Sequence, residues 1–268
     1  MGGDGPPLLL LHGWPQTSRA WRAVAPTFAS SGYTVIVPDL PGTGDSAALP
    51  DGHDDKEAVV DALRPVVGEL VGNEPLRVVG HDIGGMVALA WARSHPDDVV
   101  RLAVVETGLP GLGLEEAMDV ARGGRWHHGF FMTPQVPAML VAGHEEEFFT
   151  WWFGRLAARQ DAFPPTEIAA TTAPYRGRAA LDRSFAHYRT LLRDGRVTAA
   201  WLEDGGRLTM PVAGVGGELS LRDHVGRALA RAASDVRTMV VADSGHFPAE
   251  EQPAAFLDHL RPFLADDP

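Results

Sequence analysis

Short apolar runs bounded by turn residues recur along the chain and alternate with longer stretches of helical period. Leu8-Leu9-Leu10-Leu11 ends at His12-Gly13, Tyr33-Thr34-Val35-Ile36-Val37 ends at Pro38-Asp39, and Leu76-Arg77-Val78-Val79 ends at Gly80. Val99 to Val105 ends at Glu106, Pro211 to Val215 at Gly216-Gly217, and Val236 to Val241 at Ala242-Asp243. Runs of four to seven residues, β-branched and separated by helical stretches, predict the buried parallel strands of an open α/β sheet. Helices are predicted over about 18–31, 54–71, 84–95, 221–233 and 253–264. No period of 20 to 50 residues repeats, which excludes a solenoid.

One interval breaks the alternation. From about 108 to 205 there is no convincing strand, while Trp, Phe and His cluster at 126–131 and 148–153. A helical insertion there would cap the carboxyl edge of the sheet, where open α/β sheets bind ligands. The expected organisation is therefore a core of residues 1–107 and 206–268 with a helical cap over 108–205.

Composition narrows the function classes. The length of 268 residues suits one α/β core with an inserted subdomain. A formal charge of −12 without any basic block argues against nucleic acid and anionic membrane surfaces as partners. The absence of Cys removes disulfides, thiolate catalysis and Cys-ligated metal. No run of 18 apolar residues and no basic-then-apolar N-terminal stretch occurs, so neither a membrane span nor a secretory signal is expected. Cytoplasmic localisation follows as the expectation.

Three turns carry candidate chemistry. Val78-Val79-Gly80-His81-Asp82-Ile83-Gly84-Gly85-Met86 follows one strand and opens a helix. Small residues at 80 and 84 permit a tight strand-to-helix turn, from which Asp82 would project as a nucleophile. The competing reading makes Asp82 merely a helix cap. Leu11-His12-Gly13-Trp14-Pro15 can aim the Trp14 N–H at Asp82, with the Ile83 N–H as second donor of an oxyanion hole. Asp243-Ser244-Gly245-His246-Phe247-Pro248 brings His246 to the same sheet edge. Turn donor, nucleophile and histidine each follow their own strand.

On these motifs the chain resembles the α/β-hydrolase family over nearly its whole length. Val37-Pro38-Asp39-Leu40-Pro41-Gly42-Thr43-Gly44-Asp45-Ser46 adds the family's loop, with Pro41 where Arg is common. The resemblance implies an α/β-hydrolase fold: a mostly parallel sheet flanked by helices, with an inserted helical cap. The family usually has two more strands before 8–11, so a sheet short at one edge, or a truncated sequence, is expected. Asp as nucleophile points to the branch of epoxide hydrolases, haloalkane dehalogenases and fluoroacetate dehalogenases. In that branch the triad acid follows the strand before the cap or the one after it. Glu106 at a strand end is the choice to orient His246, with Glu218 as the alternative, because Ser220 occupies the usual Asp slot after the later strand. A carboxylate nucleophile would attack an sp³ carbon, and His246 would activate the water that hydrolyses the resulting ester.

Leaving-group stabilisation separates the subfamilies. Haloalkane dehalogenases place Trp directly after the nucleophile, and fluoroacetate dehalogenases place Arg there and three residues later. This chain has Ile83 and Met86, which cannot replace such donors. Epoxide hydrolases polarise the ring oxygen with cap tyrosines. Tyr188, in Tyr188-Arg189, is the choice for that acid, while Tyr33 falls in a core strand and Tyr175 reads as packing. The partner position near Trp126-His127-His128 has no Tyr, leaving the Trp126 indole or an imidazole. Trp126, His127, His128, Phe131, Trp152 and Phe247 are the substrate-binding candidates, and the aromatic clusters favour a bulky apolar or aromatic molecule. His127-His128 lacks a third metal ligand, and Gly42-Thr43-Gly44-Asp45-Ser46-Ala47 is followed by Pro50 and Gly52, which preclude a dinucleotide-binding helix.

The reading is a hydrolase needing no cofactor or metal, monomeric or homodimeric, that opens an epoxide to a diol, with a secondary-metabolite epoxide as a plausible substrate. Halide displacement by the same triad is the alternative. A non-catalytic binding protein is the reading outside enzymes.

Overall fold

In the computed structural model, which describes residues 4–50 and 53–265, six strands form one sheet. They are β1 (Pro7–Leu11), β2 (Thr34–Ile36), β3 (Leu76–His81), β4 (Val99–Val105), β5 (Val212–Gly217) and β6 (Val236–Val241). Their spatial order is β2-β1-β3-β4-β5-β6, and every pairing is parallel. Burial on both faces of β1, β3, β4 and β5 explains their nearly unbroken apolar runs, while β6 at the edge is mostly exposed. Leu9, Leu11, Val78, Leu102 and Val104 face α2 (Lys56–Val71), α3 (Ile83–Ser94) and the helix His224–Leu229. Leu8, Leu10, Val79, Ala103 and Val105 face the 3-10 turn Ser18–Trp21, α1 (Ala25–Ser30) and the helix Pro253–Ala265.

The chain runs from β1 outward to β2 and then returns to β3 on the other side of β1. That reversal opens a crevice at the carboxyl ends of β1 and β3, the place where open α/β sheets bind ligands. His12-Gly13-Trp14 leaves one strand and Asp82 leaves the other, so the topology itself brings them together.

Between β4 and β5 the chain is helical throughout, from Leu114–Ala117 to Leu191–Glu203, with one isolated bridge at Leu208. Lys56, the only lysine, is buried at the start of α2. Its Nζ donates to His187 C=O at 2.7 Å, Asp194 Oδ2 at 3.0 Å and Thr190 Oγ1 at 3.1 Å, tying these helices to the core. The Trp14 indole does the same through Ser184 Oγ at 3.1 Å, and Tyr175 through its hydroxyl on Gln16 C=O. Among the described residues no helix is long and apolar enough to cross a membrane.

Three predicted elements differ from the structure. The helix expected over 18–31 is split, because Pro26 lacks an N–H and fits only in a first turn, so the helix restarts at Ala25. The helix expected over 221–233 shrinks to His224–Leu229, since Arg222 has φ 54° and the Leu221 N–H is bound to Glu106. Tyr33 lies just before β2, its N–H on Phe28 C=O at 3.3 Å.

Candidate active site

Asp82 sits between β3 and α3 with φ 50° and ψ −120°, a backbone conformation that a non-glycine residue holds only under constraint. The constraint is local. Its N–H donates to Val105 C=O at 3.0 Å, and its C=O accepts the Gly85 and Met86 N–H groups at 2.9 and 3.2 Å. A Cβ on Gly80 would lie 2.2 Å from Gly84 O, and one on Gly84 2.4 Å from Leu11 O, so both positions demand glycine. The Asp82 side chain makes no capping bond to α3. Instead its Oδ1 accepts the Trp14 N–H at 2.9 Å. Burial pushes this carboxyl up, but His246, His81 and the N–H groups of Trp14 and Ile83 outweigh it and hold the group below its ordinary range. Asp82 is thus an ionised, desolvated carboxylate.

His246 stands beside it, with Nε2 3.7 Å from Asp82 Oδ2, beyond hydrogen-bond length. Its Nδ1 lies 3.2 Å from Glu106 Oε2. Glu106 follows β4, is wholly buried, and has φ 46°. Its Oε1 accepts the N–H groups of Gly217 at 2.6 Å and Leu221 at 3.0 Å, and its Oε2 the Ser220 hydroxyl at 2.7 Å. Burial raises its pKa, yet His246, Ser220 and Gly217 together leave it lowered. Glu218 is exposed and gives its carboxylate to the Asp243 N–H at 3.1 Å. The structure therefore sets Glu106, and not Glu218, against His246.

The histidine loop is pinned on two sides. His81 Nε2 donates to His246 C=O at 2.8 Å, and the His246 N–H donates to Leu156 C=O at 3.1 Å. Glu251, which is buried, accepts the N–H groups of Gly245, Phe247, Ala158 and Arg159 at 2.7–2.9 Å. It joins the histidine loop to the segment after the helix Glu145–Leu156. Sequence reasoning passed over this residue, although an acid five positions after His246 was visible.

A cavity of about 50 Å³ lies over these groups. Asp82, Glu106, His246, Trp14 and Met86 line it from the core, and Tyr188, His127, His128, Trp152 and Arg125 from the helices above. The Tyr188 ring is buried, and its hydroxyl makes no hydrogen bond among the described residues. Burial and the nearby Asp82 charge push its pKa well up, so it is a neutral donor. Burial likewise lowers His127 to about 3 and His128 to about 4, leaving each neutral with one N–H.

Three of the substrate-binding candidates lie elsewhere. Trp126 is 45% exposed and packs beside Trp151 on the outer surface. Phe131 is buried between Trp14 and Phe185, at centroid distances of 4.7 Å from each. Phe247 packs beneath His246 against Phe153 and Phe163. None of the three lines the cavity, so the second donor beside Tyr188 is to be sought among His127, His128 and the Trp152 indole, which is buried without a partner. The aromatic clusters serve mainly packing. A cavity of about 50 Å³ is small beside the ~150 Å³ that encloses a benzene ring. Among the described residues no group of three His, Cys, Asp or Glu side chains could hold a metal ion.

Buried neutral histidines make the fold sensitive to acid. Burial lowers His81 to about 4, helped by His246, and His187 to about 3, helped by Lys56. The unfolded chain binds protons at these sites below about 6.5 while the folded chain refuses them, so their stability is full above that pH and lost as pH falls. Each costs about 1.4 kcal/mol per pH unit. Glu250, raised to about 7 by burial, opposes this because its stability is lost as pH rises from its ordinary value towards 7. The net expectation is a loss of roughly 3 kcal/mol or more between about pH 6.5 and 4.5. Denaturant melts across that range measure it, and an unchanged midpoint would refute it.

The model of the alpha/beta hydrolase fold family matches residues 6–253. A soluble epoxide hydrolase of Corynebacterium sp. is 32% identical over 98% of this chain and 91% of its own length. A fluoroacetate dehalogenase of Burkholderia sp. is 35% identical over 70% of this chain and 64% of its own. The crystal structure of Cfl2 from Burkholderia cenocepacia superposes with a TM-score of 0.86 at 30% identity, covering 98% of this chain and 90% of the other.

Proposed function

This chain is a hydrolase belonging to the alpha/beta hydrolase fold family, and from that premise we propose that it opens an epoxide to a vicinal diol through an ester on Asp82. One observation carries the reading: an ionised carboxylate, tethered at Oδ1 by the Trp14 N–H, shares a small cavity with the unbonded hydroxyl of Tyr188. A soluble epoxide hydrolase among the relatives supports it.

The chemistry follows from these positions. Oδ2 of Asp82 attacks a ring carbon, the carbon–oxygen bond breaks, and Tyr188 passes its proton to the departing alkoxide. Oδ1 becomes the ester carbonyl oxygen and already accepts the Trp14 N–H, with the Ile83 N–H beside the same carboxylate. A water then loses a proton to His246 Nε2 and attacks the Asp82 carbonyl carbon. Glu106 stabilises the imidazolium, and the two N–H groups stabilise the oxyanion. Collapse releases the diol and restores the carboxylate, while the imidazolium proton returns to the Tyr188 phenolate. Tyr188, His127 and His128 on the substrate side are neutral, which suits an alkoxide that leaves with a proton.

Replacing His246 removes the base for the second half-reaction only. His246→Gln exposed to an epoxide panel is expected to gain one whole substrate mass on Asp82, read by intact mass spectrometry and peptide mapping. Gain of substrate less hydrogen halide, from an alkyl-halide panel alone, would replace this reading with halide displacement. No adduct from either panel would refute both.

A further inference from the structure

We infer that Arg125 is an anion anchor and that the substrate is an epoxide bearing a carboxylate a few bonds away from the ring. The inference rests on the epoxide reading above. Arg125 immediately precedes the helix Trp126–Met132 and lines the same cavity as Asp82, Tyr188 and His246. Its backbone is fixed by an N–H bond to Ala117 C=O at 2.7 Å. Its guanidinium, by contrast, has no ion pair and no hydrogen bond among the described residues. Arg19, Arg22, Arg64, Arg93, Arg159 and Arg189 each hold a carboxylate, while other arginines without such a contact, Arg122, Arg155 and Arg178 among them, do not line this cavity.

The position in the cavity sets where the anion would sit. Buried lining residues, Asp82's neighbours Trp14 and His246 among them, form the closed end. Arg125 is partly exposed, as Asp82, Gly108, His127, Leu156 and Leu221 are, and Ala117 is fully exposed, so this part of the lining is open to solvent. A substrate whose oxirane reaches Asp82 can present a second group to Arg125 along the same lining. A guanidinium presents a planar fork of donors that pairs with a carboxylate through two parallel bonds. Ile83 and Met86 offer no such donor, and Tyr188, His127, His128 and Trp152 offer only neutral ones, so Arg125 is the charged partner for an anionic tail in this cavity. The chain's charge of −12 makes an unpaired cation there the more telling, since the protein as a whole repels an anion.

The test compares terminal epoxides of aliphatic acids, about four to eight carbons long, with the primary amide of each. Wild-type protein is expected to prefer the acid in kcat/KM at one chain length, and Arg125→Gln to lower that acid-to-amide ratio by about 10- to 100-fold, the scale of a charge-assisted hydrogen bond. Arg125→Lys should retain part of the preference, and unchanged circular dichroism would show that both variants fold. Amides turned over as well as acids by wild type would overturn the inference while leaving epoxide hydrolysis standing. A preference that survives Arg125→Gln would overturn the assignment to this residue. If no epoxide is turned over, calorimetry with hexanoate against hexanamide decides. Selective hexanoate binding lost in Arg125→Gln would keep the anchor and discard the epoxide. No binding would discard both.

Discussion

Asp82→Ala is expected to lose about four orders of magnitude or more of epoxide turnover, the scale on which covalent nucleophiles fail when removed. The loss should fall on the first half-reaction, because no other carboxylate can form the ester. Glu106 lines the cavity too, but its oxygens already hold two backbone N–H groups, a hydroxyl and an imidazole. Stability should change far less than activity. The substitution removes a desolvated charge and leaves the Trp14 N–H without its acceptor, opposing effects of about 1–3 kcal/mol each. Initial rates on the best epoxide, together with a thermal melt, check both halves. Retention of more than about 1% of turnover would mean that Asp82 is not the attacking group, since general-base assistance alone contributes only about 10²–10⁴.

The core could be read from the sequence because parallel strands buried on both faces leave continuous apolar runs, as β1, β4 and β5 do, while β6, at the sheet edge and mostly exposed, was marked by its β-branched residues. The Asp82 turn was readable for a different reason. The glycines at 80 and 84 are forced by backbone clashes at 2.2 and 2.4 Å, so a steric rule appears as residue identity. The choice between Glu106 and Glu218 was not readable to the end. It depends on the register of β4 against β5, which bonds Glu106 N–H to Val215 C=O at 2.8 Å, and on the turn that brings Gly217, Ser220 and Leu221 onto one carboxylate.

Above the sheet, short helices carry little periodic signal. Trp151 and Trp152 are neighbours in sequence, yet one is 48% exposed and the other 4%. The same difficulty separates Trp126, on the outer surface, from His127 and His128 inside. Arg125 escaped notice because it precedes the aromatic cluster and belongs to no helix period. Its significance depends on what fails to pair with it, and a sequence does not show that.

Glu106→Gln should be nearly as damaging as loss of the nucleophile, but at a different step. The carboxylate's Oε1 accepts two backbone N–H groups, so the glutamine carbonyl oxygen is forced into that place and its amide NH₂ into the place of Oε2. Ser220 can rotate its hydroxyl to accept from that amide. His246 cannot adapt so cheaply: its Nδ1 would have to become an acceptor, which moves the proton to Nε2 and removes the base. The charge that stabilises the imidazolium is lost at the same time. A comparable carboxylate-to-amide change behind a catalytic histidine costs about 10⁴ in kcat through the same wrong tautomer. Ester formation does not use that base, so Glu106→Gln should accumulate the Asp82 adduct as His246→Gln does, with kcat falling by about 10³–10⁴. Rapid-quench mass spectrometry follows the adduct directly. If kcat fell with no ester building up, Glu106 would be acting on the first step, or on folding, and the division of labour between Asp82 and His246 would have to be redrawn.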